Sequence, residues 1–245
     1  MKDLDLAASP PATPPGWPRT IPVVSPTDWQ AAMAWQRAEE KKLTREMDRV
    51  AALRRKMPWM VVAAGYVFQT EAGPVGLTDL FGGCRQLIVY HHMLRAAGTT
   101  PCPGCGFIGD QIPHLAHLRA RDTALVFVSE APVAEIAAFR QRMGWKMPGV
   151  QTAASFNDDM GVGRGPGFNV FIQEHGVAYR SYTTTARGAE TLGTVFALLD
   201  ITPMGRQERW QQAPAGTPQS APYQWWRLHD EYAAAPVATC CSGTT

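Results

Sequence analysis

The sequence has no long apolar run, no excess of charge of one sign, and few cysteines. No stretch has the length of a membrane-spanning helix, and residues 1–26 lack the apolar core of a signal peptide. Its 23 basic and 21 acidic residues give a net charge of +2, which provides no electrostatic reason for nucleic-acid binding. We therefore expect a cytoplasmic protein that binds neither membranes nor nucleic acid.

The length of 245 residues and a hydrophobic content of 45% are sufficient for one substantial core with extensions. Proline pairs near the N-terminus disfavour helix, whereas the following segment alternates apolar and charged residues as an amphipathic helix does. That helix is expected to lie along the core or to mediate a homo-oligomer. The expected divisions are a flexible arm (1–26), the helix (27–57), an α/β domain (58–205), a C-terminal segment packed on the core (206–232) and a flexible tail (233–245).

Two cysteines separated by two residues, Cys102 and Cys105, lie between a strand-like run (87–90) and a helix-like run (107–118). The cytoplasm keeps structural disulfides rare, so a close cysteine pair there is typical of catalysis, redox sensing or metal binding. In this strand-to-helix setting, a C-x-x-C motif indicates thioredoxin-like dithiol chemistry.

The two thiols are expected to have different roles. Cys102 lies where a helix begins, and the backbone N–H groups there favour a thiolate. Such a thiolate attacks a substrate disulfide, and Cys105, one turn deeper, then resolves the mixed disulfide. Between them, Pro103 is expected to restrict the loop and Gly104 to relax it.

Other interpretations of the motif stay open. His114 and His117 follow the cysteines and are zinc-ligand types, but one helix over 105–118 would hold them too far from Cys105 unless Pro113 bends it. The pair could also form a static disulfide. A further alternative is a non-catalytic binding or scaffold protein that assembles through its long helix and its tryptophan-rich C-terminus.

The remaining pattern predicts alternating strands and helices and then a hairpin at Glu174-His175-Gly176, which gives a mixed sheet with helices on both faces. The expected elements are one or two strands within 60–80, strands at 124–129, 168–172 and 177–182, and helices at 133–143 and 189–199.

Several motifs together resemble the bacterial thioredoxin-like family of predicted dithiol-disulfide oxidoreductases, over residues 20–232. They are Leu77-Thr78-Asp79-Leu80-Phe81, Gln86-Leu87-Ile88-Val89-Tyr90-His91, Cys102-Pro103-Gly104-Cys105, Arg121-Asp122-Thr123, Arg142-Met143-Gly144-Trp145 and Trp225-Trp226-Arg227-Leu228-His229-Asp230-Glu231-Tyr232.

This resemblance implies a thioredoxin-like α/β fold with a Cys102–Cys105 redox pair. We expect no cofactor and no metal. The resemblance also implies that His91 ends the strand beside the dithiol. A cis-proline usually precedes the strand that faces the dithiol, and the nearest candidate is Pro166, followed by Gly167, as a substrate-binding loop. Pro101 departs from the family pattern, since thioredoxins have an aromatic residue there.

His91 and His92 would point to opposite faces of the strand, and His91 is our choice for tuning a thiol, with a histidine that only satisfies a backbone carbonyl as an equal alternative. Arg95 and Arg187 could add positive potential, although ordinary surface positions are favoured. The Trp225–Trp226 pair is expected to pack the C-terminal segment against the core, and the vicinal Cys240 and Cys241 could shuttle electrons. The expected partners are a disulfide-containing protein or a small thiol, with a peroxide as a variant, and an electron donor that the sequence does not identify.

Overall fold

A single sheet of eight strands organises the chain, for which a computed structural model describes residues 21–95 and 100–232. The strands are β1 (Met60–Val61), β2 (Val67–Thr70), β3 (Gly73–Gly76), β4 (Gln86–His91), β5 (Thr123–Ser129), β6 (Gly149–Gln151), β7 (Gly167–Glu174) and β8 (Val177–Thr185). Their spatial order is β1-β8-β7-β4-β5-β6-β2-β3. The neighbours β4, β5 and β6 are parallel, and every other neighbouring pair is antiparallel.

Helices connect and cover these strands. They are α1 (Pro26–Arg54), α2 (Pro103–Gly109), α3 (Leu115–Arg119), α4 (Val133–Arg142), α5 (Ala154–Asp159), α6 (Arg187–Glu190) and α7 (Thr194–Asp200), with single 3-10 turns at Asp79–Phe81 and His229–Glu231. The chain passes from β4 through α2 and α3 to the parallel strand β5, and the antiparallel β7 and β8 follow on the other side of β4. This mixed α/β arrangement is thioredoxin-like, and it confirms the predicted fold class.

The two faces of β4 contribute to different parts of the core because successive strand residues point to opposite sides. Leu87 and Val89 pack in the same cluster as Phe156 of α5. Tyr90 packs on the opposite face with Cys105 of α2. The dithiol helix therefore meets the even-numbered positions of β4.

Two predicted helices are each divided in the structure. The predicted helix over 107–118 is interrupted before Pro113, which has no N–H to donate within a helix, and α3 starts after His114. The predicted helix over 189–199 is α6 and α7. Strand β6 and helix α5 were not predicted from the sequence.

Helix α1 does not lie along the core, since none of its residues is buried. Its exposed apolar side chains include Trp35, Leu43 and Met47, and its last residue, Arg54, lies over the ring of Tyr182 at 5.2 Å. In the described part of the chain, no helix has both the length and the apolar character needed to cross a membrane.

Candidate active site

Cys102 caps the N-terminus of α2. Its extended backbone turns into the helix at Pro103, whose fixed φ suits the first helical position. The Cys102 Sγ accepts a hydrogen bond from the Cys105 amide at 3.4 Å, and the side chain is partly exposed. The thiol that the sequence predicts as the attacking group is therefore accessible and hydrogen-bonded to the first turn of α2.

The pKa of Cys102 is lowered to about 6. The largest cause is a hydrogen bond from the Cys105 side chain, followed by the backbone N–H groups of Cys105 and Gly104 and the positive charge of Arg95, while burial acts in the opposite direction. Each of these groups stabilises the thiolate more than the thiol. At neutral pH, the Cys102 side chain is consequently a thiolate.

Cys105 has the opposite environment, because its side chain is fully buried against the even-numbered face of β4. The hydrogen bond to Cys102 and burial raise the pKa of Cys105 well above its usual value. Two groups counteract this effect: the Tyr90 hydroxyl, and the Met93 amide, which donates to Cys105 Sγ at 3.4 Å. Burial and the neighbouring thiols also raise the pKa of Tyr90. Tyr90 is thus a protonated donor facing the Cys105 thiol.

The choice of His91 for tuning a thiol is wrong, because its ring points to the other face of β4. Its Nδ1 donates to Asn157 Oδ1 at 2.8 Å, its Nε2 accepts from Asn169 Nδ2 at 3.0 Å, and the ring stacks on Phe156. Burial lowers the pKa of His91 to about 4. His91 is therefore a neutral, hydrogen-bonded core residue, and Tyr90 is the strand residue that contacts the dithiol.

His92 shares the dithiol side of the sheet but is enclosed by aromatic side chains. Its ring stacks on Phe127 and meets Trp145 edge-on, and its Nδ1 accepts from the Leu94 amide at 3.1 Å. Burial lowers the pKa of His92 to about 4. Neither histidine supplies a charge near Cys102 at neutral pH.

Gly104 is a packing position, which the sequence did not indicate. A Cβ at Gly104 would lie 2.7 Å from Trp226, and one at Gly106 would lie 2.3 Å from Leu228. Contacts this short are essentially never made by real Cβ atoms, so the C-terminal segment packs directly on the backbone of α2. Gly104 and Gly106, two residues apart, are the sequence signal that could have indicated this contact.

Trp226 forms part of the site, although the sequence indicated only that it packs on the core. Its ring stacks on Phe107 at 5.0 Å and 10°. The position of a Cβ on Gly104 lies within 4 Å of both the Trp226 ring and Cys102 Sγ, which places the indole beside the thiol.

A cleft of about 490 Å³ opens beside the two cysteines, and we refer to it as the dithiol cleft. Its lining is mostly apolar and includes Tyr90, Met93, Cys102, Cys105, Ile108, Pro166, Gly167, Ala186, Arg187, Ala189, Glu190, Phe196, Tyr223 and Trp226.

The structure places Pro166 and Gly167 in the lining of this cleft, together with both cysteines. The peptide bond before Pro166 is trans, as are all peptide bonds in the two described ranges, so the expected cis-proline is not present. Gly167 pairs with His91 across β4 and β7 and has no room for a Cβ, which would lie 2.7 Å from Val162.

The histidines of the zinc alternative do not join the cysteines in a metal site. His114 caps α3 by accepting a hydrogen bond from the Ala116 amide, and the ring centroids of His114 and His117 are 6.1 Å apart. Within residues 21–95 and 100–232, no group of three or more His, Cys, Asp or Glu side chains is placed to hold a metal. Cys240 and Cys241 lie outside the described residues.

Comparisons with known proteins place the sequence in a family. Residues 18–232 match the family described as "Bacterial protein of unknown function (DUF899)". Among solved structures, the chain is similar to a hypothetical protein from Sinorhizobium meliloti, with 18% identity, 53% of this chain and 72% of that chain covered, and a TM-score of 0.39. It is also similar to thioredoxin peroxidase I of Plasmodium yoelii, with 15% identity, coverage of 57% and 89%, and a TM-score of 0.39. No curated protein matches the chain.

Proposed function

The chain belongs to the DUF899 family of bacterial proteins of unknown function, and we propose that it is a thiol-disulfide oxidoreductase acting through Cys102 and Cys105. One observation supports this proposal above the others: an accessible thiol with a pKa of about 6 lies beside a buried thiol whose pKa is raised. Attack needs a thiolate at neutral pH, and resolution needs a second thiol that is protected from competing reactions.

The reaction transfers two electrons from the dithiol to a substrate disulfide. The Cys102 thiolate attacks one substrate sulfur, a Cys102–substrate disulfide forms, and the other half of the substrate leaves as a thiolate that takes up a proton. Cys105 then loses its proton and attacks Cys102 Sγ, which releases the second half of the substrate and leaves a Cys102–Cys105 disulfide. The Met93 amide and the Tyr90 hydroxyl stabilise the negative charge that develops on Cys105 Sγ.

A redox titration of the full chain against glutathione, with mass spectrometry of the cysteine pairs, tests the proposal. We expect a reversible Cys102–Cys105 disulfide and reductase activity towards a substrate disulfide. The Cys102→Ser variant should lose that activity and keep its fold. Absence of a Cys102–Cys105 disulfide at every glutathione ratio would overturn the proposal.

The scaffold alternative has one observation in its favour, the 29-residue helix α1 with no buried residue and an exposed Trp35, Leu43 and Met47. An exposed apolar surface of this kind is typical of interaction sites. The same Cys102→Ser variant separates the two functions. A scaffold would keep its oligomeric state in the variant and would have no reductase activity to lose.

A further inference from the structure

The walls of the dithiol cleft come from parts of the chain that are far apart in sequence. Tyr90 is on β4, Ile108 on α2, Phe196 on α7 and Trp226 in the C-terminal segment. A volume of about 490 Å³ is in the range of small-molecule sites, which are concave and largely apolar. A surface that receives a folded protein substrate is flatter and larger than this.

The C-terminal segment that forms one wall of the cleft is held together by a buried carboxylate and packs on α2. Glu208 is buried and accepts hydrogen bonds from Trp210 Nε1, Trp225 Nε1 and the Tyr223 amide, at 2.6, 2.8 and 2.8 Å. Leu228 is buried against α2.

Beyond Leu228, Asp230 accepts two hydrogen bonds from the Arg142 guanidinium of α4, at 2.7 and 2.9 Å. Attachments on both sides of Trp226 therefore hold its ring against the motif. The indole therefore lines the same cleft as Cys102.

The charged side chains at the cleft neutralise one another. Glu190 accepts from the Tyr223 hydroxyl and from Arg206 at 3.1 Å, and its other charged neighbour, Arg187, lies at 3.5 Å. Arg187 also lies over the ring of Trp210 at 4.7 Å. A substrate whose charges lie against Arg187 or Glu190 would have to displace these contacts.

We infer that the dithiol cleft takes a low-molecular-weight disulfide with an uncharged aromatic or branched apolar body, and that Trp226 determines this specificity. The inference rests on the proposed function. One half of the substrate contacts Trp226 and Phe196 while its sulfur meets Cys102, and both halves leave as thiols when the Cys102–Cys105 disulfide has formed. Apolar contacts of this size separate competing substrates by about tenfold or more.

The test uses the reduced full chain and three probes: dipyridyl disulfide, which is uncharged and aromatic; glutathione disulfide, which is charged; and insulin, a protein disulfide. Each rate is divided by the rate of dithiothreitol with the same probe, which removes the intrinsic reactivity of the probe. We expect the normalised rate for dipyridyl disulfide to exceed those for the other two by about tenfold or more.

Three variants assign the preference to the indole. Trp226→Ala should lose most of the preference, Trp226→Phe should keep much of it, and Trp59→Ala is the matched control, since Trp59 contacts Tyr179 and does not line the cleft. If Trp226→Ala does not fold, the wild-type ratios still test the substrate class, and Trp226→Leu, which has an apolar side chain without a ring, replaces it as the test of the indole.

Equal normalised rates, or a preference for insulin, would overturn the substrate class, and an unchanged preference in folded Trp226→Ala would overturn the role of Trp226. If the chain is not a thiol-disulfide oxidoreductase, the experiment gives a different result. Cys102 would still be alkylated, but none of the three probes would be reduced.

Discussion

Replacing Gly104 by alanine tests the contact between the dithiol helix and the C-terminal segment. The new Cβ would lie 2.7 Å from Trp226 Cζ3 and 2.9 Å from Cε3, whereas carbon atoms in contact are about 3.5–4.0 Å apart. The ring would have to move by on the order of 1 Å. It is held by stacking on Phe107 and by Tyr223 at 4.5 Å, so this movement disturbs its neighbours.

Two opposing effects set the change in the free energy of unfolding on Gly104→Ala. Overpacking of this kind costs about 1–3 kcal/mol. Alanine is more favourable than glycine inside a helix by about 0.5–1 kcal/mol. We therefore expect Gly104→Ala to lower the free energy of unfolding by about 1–2 kcal/mol. In a Trp226→Ala background the obstacle is absent, and the same substitution should stabilise the protein by about 0.5 kcal/mol.

Urea unfolding of the four proteins in this double-mutant cycle, all reduced, measures the reversal of sign. The matched cycle pairs Gly104→Ala with Trp59→Ala, where the two effects should add to within about 0.5 kcal/mol. An equal loss of stability in the wild-type and Trp226→Ala backgrounds would refute the reasoning, because Trp226 would then not lie on Gly104.

Three further predictions concern the thiols and the histidine. Alkylation of Cys102 by iodoacetamide should rise with pH around a midpoint of about 6, the pKa of its thiolate, and a midpoint near that of free cysteine would contradict the assigned hydrogen bonds. Tyr90→Phe should leave the rate of the first attack unchanged and lengthen the lifetime of the Cys102–substrate disulfide by about tenfold or more, because the donor that lowers the pKa of Cys105 is lost. Quenched-flow mass spectrometry measures that lifetime, and an unchanged lifetime would exclude this role of Tyr90. His91→Leu should destabilise the protein by about 1–3 kcal/mol without moving the Cys102 midpoint, since it leaves buried amides unpaired on the other face. The pKa of His91 is about 4 in the folded state and about 6.5 in the unfolded state, so the unfolded state binds more protons between these pH values and the free energy of unfolding rises with pH there. Urea unfolding of His91→Leu should show a smaller slope of this free energy against pH, and an unchanged slope would contradict the burial of a neutral His91.

Local patterns were sufficient to predict much of the fold. Apolar β-branched runs predicted β4 and β5, and the turn at Glu174-His175-Gly176 predicted the hairpin of β7 and β8, because each signal lies within a few neighbouring residues. The short elements β6 and α5 carried no such signal. Their residues become strand and helix through contacts with β5 and with the core.

The face to which a strand residue points is a separate question from the existence of the strand. Ile88 and Tyr90 are apolar, as are Leu87 and Val89, so no alternation of polarity distinguished the two faces of β4. Pairing with β5 and β7 fixed the register, and with it the orientations of Tyr90 and His91. The choice between these two residues could not be made from the sequence.

The sequence by itself determined that two thiols lie at a strand-to-helix junction, with Cys102 at the first position and Cys105 one turn inside the helix. Only the tertiary structure decided their pKa values, because these depend on burial, on the donors Met93 and Tyr90 and on the charge of Arg95. It also decided the shape of the cleft, since Trp226 reaches the motif only when the C-terminal segment folds over the glycines of α2.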